Sequence, residues 1–77
     1  MNLKNLLARI LDVDPGVIND GSSPENLENW DSFNGLLIAS ELEKESGVKF
    51  SIEDVIHVKN VGDIKKILDR YNIKYDF

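Results

Sequence analysis

Few residues in this chain could do chemistry, and two of them are adjacent. Asp31 and Ser32 stand where a long polar stretch, DVDPGVINDGSSPENLENWD, meets an apolar-patterned run, SFNGLLIASELEKES. A serine at a helix start presents its hydroxyl beside unpaired backbone N–H groups and a partial positive charge. That end can accommodate a phosphate attached at or beside the serine. An aspartate directly before it can cap the helix, order water or bind a cation such as Mg²⁺. Taken alone, the pair reads first as an ordinary N-cap, because capping is the common use of both residues. The lone His57 has no second His or Cys nearby to build a metal site, and it reads as a surface residue of a short helix. The glycines form neither GxGxxG nor a P-loop. Glu41/Glu45 and Asp12/Asp14 read as solvated charge, since a paired-carboxylate mechanism needs a cleft between the groups. No nucleophile–base–orienter set is visible, so the chain reads as a non-enzyme.

The elements that must position Asp31 and Ser32 follow from apolar spacing. Leu3, Leu6, Leu7, Ile10 and Leu11 make one helical stripe with Asn2 as its N-cap, and Pro15 and Gly16 are the expected stop. The polar stretch that follows fits no single period. Its isolated apolar residues, Val13, Val17, Ile18, Leu27 and Trp30, suggest a loop pinned to the core, with Trp30 as a packing anchor. A second helix begins at Asp31 or Ser32. It carries Phe33, Leu36, Leu37, Ile38, Ala39 and Leu42, and Gly47 ends it. Val48 and Phe50 return to the core. A short third helix spans Ser51 to His57, with Ser51 and Asp54 resembling a capping box. A fourth opens at Asn60 and buries Val61, Ile64, Ile67, Leu68 and Tyr71. In the tail, Ile73, Tyr75 and Phe77 alternate and read as packing across the bundle. The fold class is all-α: a small four-helix bundle of three principal helices and one short one, with a long first loop.

Composition bounds the function. The chain has 77 residues, a net charge of −5, no cysteine and 42% hydrophobic residues. That length suits one domain with one core, stable by only ~3–5 kcal/mol. Zero cysteine excludes disulfides, thiolate metal sites and a protein-borne nucleophilic thiol. Net negative charge disfavours nucleic acid as a partner and favours proteins with basic patches. No run approaches the ~20 apolar residues of a membrane span. MNLKNLLARIL lacks the features of a secretory leader, so the expected location is cytoplasmic.

The whole pattern resembles the acyl carrier protein family. Asp31-Ser32-Phe33 stands in place of the family's DSL attachment motif. Gly47-Val48-Lys49-Phe50 matches its exit from the second helix. Val61-Gly62-Asp63 matches the opening of the last helix, with Asn60 in place of Thr, and LDVDPGVINDGSSPENLENWDS looks like its first loop. The resemblance runs from about Leu3 to Leu68 in one domain over 1–77, leaving 72–77 as a tail. It implies that Ser32 is the attachment site for 4′-phosphopantetheine, with Asp31 supporting the modification. A separate phosphopantetheinyl transferase would move the group from coenzyme A with Mg²⁺. The arm's thiol would hold acyl or aminoacyl groups as thioesters, giving a cysteine-free protein its sulfur.

The other implied partners are acyl-loading and acyl-processing enzymes, met by a monomeric carrier around Phe33, Leu37, Glu41, Val55 and Ile56. The sequence also departs from the family. Phe33 replaces the usual Leu, Leu37 falls where many relatives have an acid, and Glu41 and Ser46 fall at often apolar positions. No acid lies between Asp31 and Glu41, so docking near the serine is expected to be more hydrophobic than in housekeeping fatty-acid synthesis. The ENWDS context is closer to carriers of polyketide or specialised-lipid clusters. The competing reading is an unmodified helical interaction module that keeps the carrier fold. The intact Asp31-Ser32 pair argues against that reading. Placing Leu37 on the surface predicts that Leu37→Glu changes partner-enzyme rates more than melting temperature. A large fall in melting temperature with unchanged partner kinetics would instead mark Leu37 as core.

Overall fold

Hydrogen-bonding side chains start every helix. In the computed structural model, which describes residues 1–77, α1 spans Leu3–Leu11, α2 Ser32–Ser46, α3 Ile52–Ile56 and α4 Val61–Arg70. The caps are Asn2, Asp31, Ser51 and Asn60, each accepting from the backbone N–H three residues on. This satisfies donors that a helix start leaves unpaired. At α3 the reciprocal bond is also present, from the Ser51 N–H to Asp54 Oδ2, so the capping box is complete. The sheet-like part is one isolated parallel bridge between Asn2 and Asp76.

α1 supplies the centre of the core. Leu3, Leu6, Leu7, Ala8 and Leu11 are buried, and Ile10 packs at its edge. Its end differs from the sequence expectation. Asp12, in the left-handed region at φ 56°, closes α1 by donating its N–H to the Ala8 carbonyl. Aspartate tolerates that conformation better than most residues. Pro15 and Gly16 lie further on, inside a 3₁₀ turn over Pro15–Val17 that Asp14 caps.

The long loop is a structured strap. Ile18, Ser22 and Trp30 are buried, while Val13 and Leu27 pack against the core. Val17 departs from the pinned pattern and is exposed. Polar bonds fix the rest. Asn29 Nδ2 donates to the Leu11 carbonyl at 2.8 Å, holding the strap to the end of α1. The Val61 and Gly62 N–H groups donate to the carbonyls of Ser22 and Asp20, each at 3.0 Å, so the strap also covers the start of α4. A Cβ at Gly62 would lie 3.1 Å from Asn60 Oδ1 and 3.5 Å from the Asp20 carbonyl oxygen, so this approach favours glycine.

α2 buries only Ile38 and Leu42, one turn apart, and ends at Gly47 with φ 71°. On α4, Val61, Ile64 and Leu68 are buried. The tail returns to the start of the chain. The Leu3 N–H donates to the Asp76 carbonyl at 2.9 Å, and the Asp76 N–H to the Met1 carbonyl at 2.7 Å. Ile73 and Tyr75 pack on the core. The Phe77 ring lies under Lys65 Nζ, 3.6 Å from its centroid.

α3 joins α4 through Asp54. Its carboxylate accepts from the Tyr71 hydroxyl at 2.6 Å and pairs with Arg70. The Tyr71 hydrogen bond holds the Asp54 carboxyl below its ordinary value, and the same bond raises the Tyr71 phenol. The folded chain therefore favours ionised Asp54. That contribution is present above the ordinary carboxylate range and is lost as pH falls through the lowered value. The Tyr71 contribution is present below the ordinary phenol range and is lost as pH rises through the raised value. The melting-temperature gap between wild type and Asp54→Asn should be widest above the ordinary carboxylate range and should narrow as pH falls through it towards the lowered value. A gap independent of pH over thermal scans would contradict this coupling.

Candidate functional site

Ser32 is the first residue of α2, and its side chain is exposed. Trp30, two residues earlier, is buried. Between them Asp31 turns the chain into the helix. Its Oδ1 accepts from the Asn34 N–H at 2.8 Å, and its carbonyl accepts from the Gly35 N–H at 2.8 Å. Asn34 Nδ2 reaches back to the Asn29 carbonyl at 2.6 Å, which ties the first turn of α2 to the strap. The N–H groups of Ser32 and Phe33 take no acceptor from the protein. With no acidic side chain in the first turn of α2, they are available to an anion borne by the Ser32 oxygen.

Ser32 and Asp31 also stand on the rim of an apolar cleft of about 590 Å³. α2 contributes Leu36, Ile38 and Leu42 to its wall, α3 contributes Val55 and Ile56, and Phe50 lies on the connection between them. Such a cleft suits an apolar group delivered at its mouth.

The remaining expected residues divide by position. Phe33 is exposed to 67% and Ile56 to 67%, while Leu37 is exposed less, at 39%. Val55 is half-buried and faces the cleft. Glu41 is committed elsewhere: its carboxylate pairs with Arg9 at 3.5 Å and Lys44 at 3.8 Å. His57 is exposed, with Nδ1 2.8 Å from the Glu53 carbonyl oxygen. Two apolar residues belong beside this set although residue type did not single them out. Leu36 is 62% exposed one turn after Ser32, and Ile52 is 79% exposed one turn before Ile56. The signal available was their i, i+4 spacing from Ser32 and Ile56.

The Asp31 cap is a separable part of the site. Asp31→Ala should destabilise the fold by about 1 kcal/mol, lowering the melting temperature by roughly 4–8 °C. Asp31→Asn should stay within about 2 °C of wild type, because asparagine caps as well as aspartate. Equal losses in both variants would show that the charge, not the cap, carries the effect.

Comparison with known proteins agrees with this geometry. The family described as "phosphopantetheine attachment site" matches residues 2–68. A solved structure assigned as an acyl carrier protein from Mycobacterium tuberculosis is similar, with 26% identity and a TM-score of 0.80. The match covers 90% of this chain and 92% of that one. A search of curated proteins finds no match. Members of the matched family carry 4′-phosphopantetheine covalently, and an exposed serine hydroxyl over free helix N–H groups fits such a phosphodiester. This chain, helical and with the acyl carrier protein fold, belongs to the phosphopantetheine-attachment-site family.

Proposed function

We propose that Ser32 bears the 4′-phosphopantetheine and that the chain shuttles acyl or aminoacyl groups between partner enzymes of a fatty-acid, polyketide or specialised-lipid pathway. The observation that carries this reading is the Ser32 hydroxyl, exposed at the first position of α2 beside an apolar cleft. In the modification, Ser32 Oγ attacks the β-phosphate of coenzyme A. A P–O bond to the serine forms, the bond to the 3′,5′-ADP leaving group breaks, and the serine proton passes to the transferase. The transferase supplies Mg²⁺ and the charge stabilisation. When bound, the group supplies a thiol on which cargo rides as a thioester.

This chain's residues do the rest. The Ser32 and Phe33 N–H groups and the α2 dipole favour the phosphodiester charge. Asp31 fixes the start of the helix through Oδ1, and its exposed carboxylate can meet the metal that the transferase brings. Phe33, Leu37, Val55 and Ile56, with Leu36 and Ile52, offer partners an apolar face around the serine. Glu41 contributes less, because Arg9 and Lys44 already neutralise it. The reading includes a monomer working in the cytoplasm. Its partners are a phosphopantetheinyl transferase and the enzymes that load and process the cargo.

Incubation with coenzyme A, Mg²⁺ and a broad-specificity transferase should add one phosphopantetheine by intact-mass measurement. Ser32→Ala should abolish the addition while remaining folded. An unchanged wild-type mass with several competent transferases would overturn the reading.

A further inference from the structure

α3 is poorly held by the forces that hold the other helices. It has five residues, too few to persist alone, and none is buried. Ile52 and Ile56 are exposed to 79% and 67%, leaving Val55 as its half-buried apolar contact. Its first backbone bond runs from the Val55 N–H to the Ser51 carbonyl, and just past the helix the Val58 N–H donates to the Val55 carbonyl, each at 3.3 Å. Little hydrophobic burial is therefore available to fix where α3 sits.

One side chain compensates. Asp54 Oδ2 accepts from the Tyr71 hydroxyl at 2.6 Å and from the Ser51 N–H at 3.3 Å, while Oδ1 pairs with Arg70. The Asp54 N–H in turn donates to Ser51 Oγ at 3.1 Å. The carboxylate is only 11% exposed, although its Arg70 partner is 61% exposed. The Tyr71 anchor is itself packed, its ring 5.3 Å from that of Phe50. Phe50, Val55 and Ile56 all line the cleft that has Ser32 on its rim.

We infer that Asp54 is a positioning residue: through Tyr71 and Arg70 it holds α3 against the end of α4, and so sets the wall of the cleft and the apolar face beside Ser32. Asp54 contributes by geometry rather than by touching cargo. Its functional half rests on the attachment of the prosthetic arm at Ser32 and on docking at the α2–α3 face. Its structural half does not.

The test uses the full chain carrying Asp54→Ala, Tyr71→Phe or Asp54→Glu. Asp20→Ala serves as a control that removes the Lys65 ion pair on another part of the surface. Amide exchange on the unmodified protein should show protection at Val55 and Val58 falling roughly tenfold in Asp54→Ala. Protection at Leu7 and Leu68 should change far less. Tyr71→Phe, which keeps the ring packing, should give the same pattern with a smaller loss and remains informative if Asp54→Ala does not fold. In transferase kinetics the KM for the carrier should rise with kcat unchanged, Asp54→Glu should recover part of the loss, and Asp20→Ala should match wild type. Loosening spread evenly over all helices, or no loosening of α3, would overturn the inference. Selective loosening with unchanged KM would overturn the positioning role. A wild-type chain that accepts no phosphopantetheine would instead overturn the attachment reading, and the exchange data would still decide whether Asp54 holds α3.

Discussion

The burial of Trp30 is the constraint from which the site follows. A large apolar ring at the end of a polar strap must leave water, and in doing so it anchors the backbone just before α2. Asp31 then caps the helix, and Ser32 emerges on the surface as the first helical residue. Buried anchor, cap and exposed hydroxyl occupy three consecutive positions. The strap's bonds to the end of α1 and the start of α4 serve the same end, since they leave α2 little freedom in where it begins.

The distribution of apolar residues shows a division of labour. α1 and α4 put their apolar residues inside, whereas α2 buries only Ile38 and Leu42 and leaves Phe33, Leu36 and Leu37 outside. A fold with so small a core cannot leave this many large side chains in water without cost. Ile52 and Ile56 on α3 are exposed as well, and on the proposed reading such apolar surface serves the docking of partners. The net charge of −5 is a poor guide to this part of the surface, because the first nine residues of α2, Ser32 to Ser40, hold no acid, and Glu41 pairs with Arg9. On the proposed reading, partners that dock there meet apolar surface first.

What was legible in the sequence is what is local. The caps at Asn2, Asp31, Ser51 and Asn60 bridge three residues, so type and spacing identify them. The stripes of α1 and α4 follow the helical period, and Gly47 marks its own left-handed conformation. Trp30 was readable as an anchor because few other roles suit a lone large ring in a polar loop. The misreadings have equally physical reasons. Pro15 is a conspicuous helix breaker, yet Asp12 had already closed α1 by adopting a conformation that its side chain only weakly advertises. Val17 looked like a pin, but the 3₁₀ turn directs it to solvent. The links between Asp54 and Tyr71 and between Leu3 and Asp76 join residues far apart in the chain, and no periodicity reports such pairs.

On the proposed reading, one serine is the attachment point because of its place at the start of α2. The chain holds five others, Ser22, Ser23, Ser40, Ser46 and Ser51. Fragmentation of the enzymatically modified protein in the mass spectrometer tests that reading most directly. Fragments that contain Ser32 should retain the added mass, and fragments that hold only other serines should lack it. A phosphopantetheine found on any of the other five would contradict the reading.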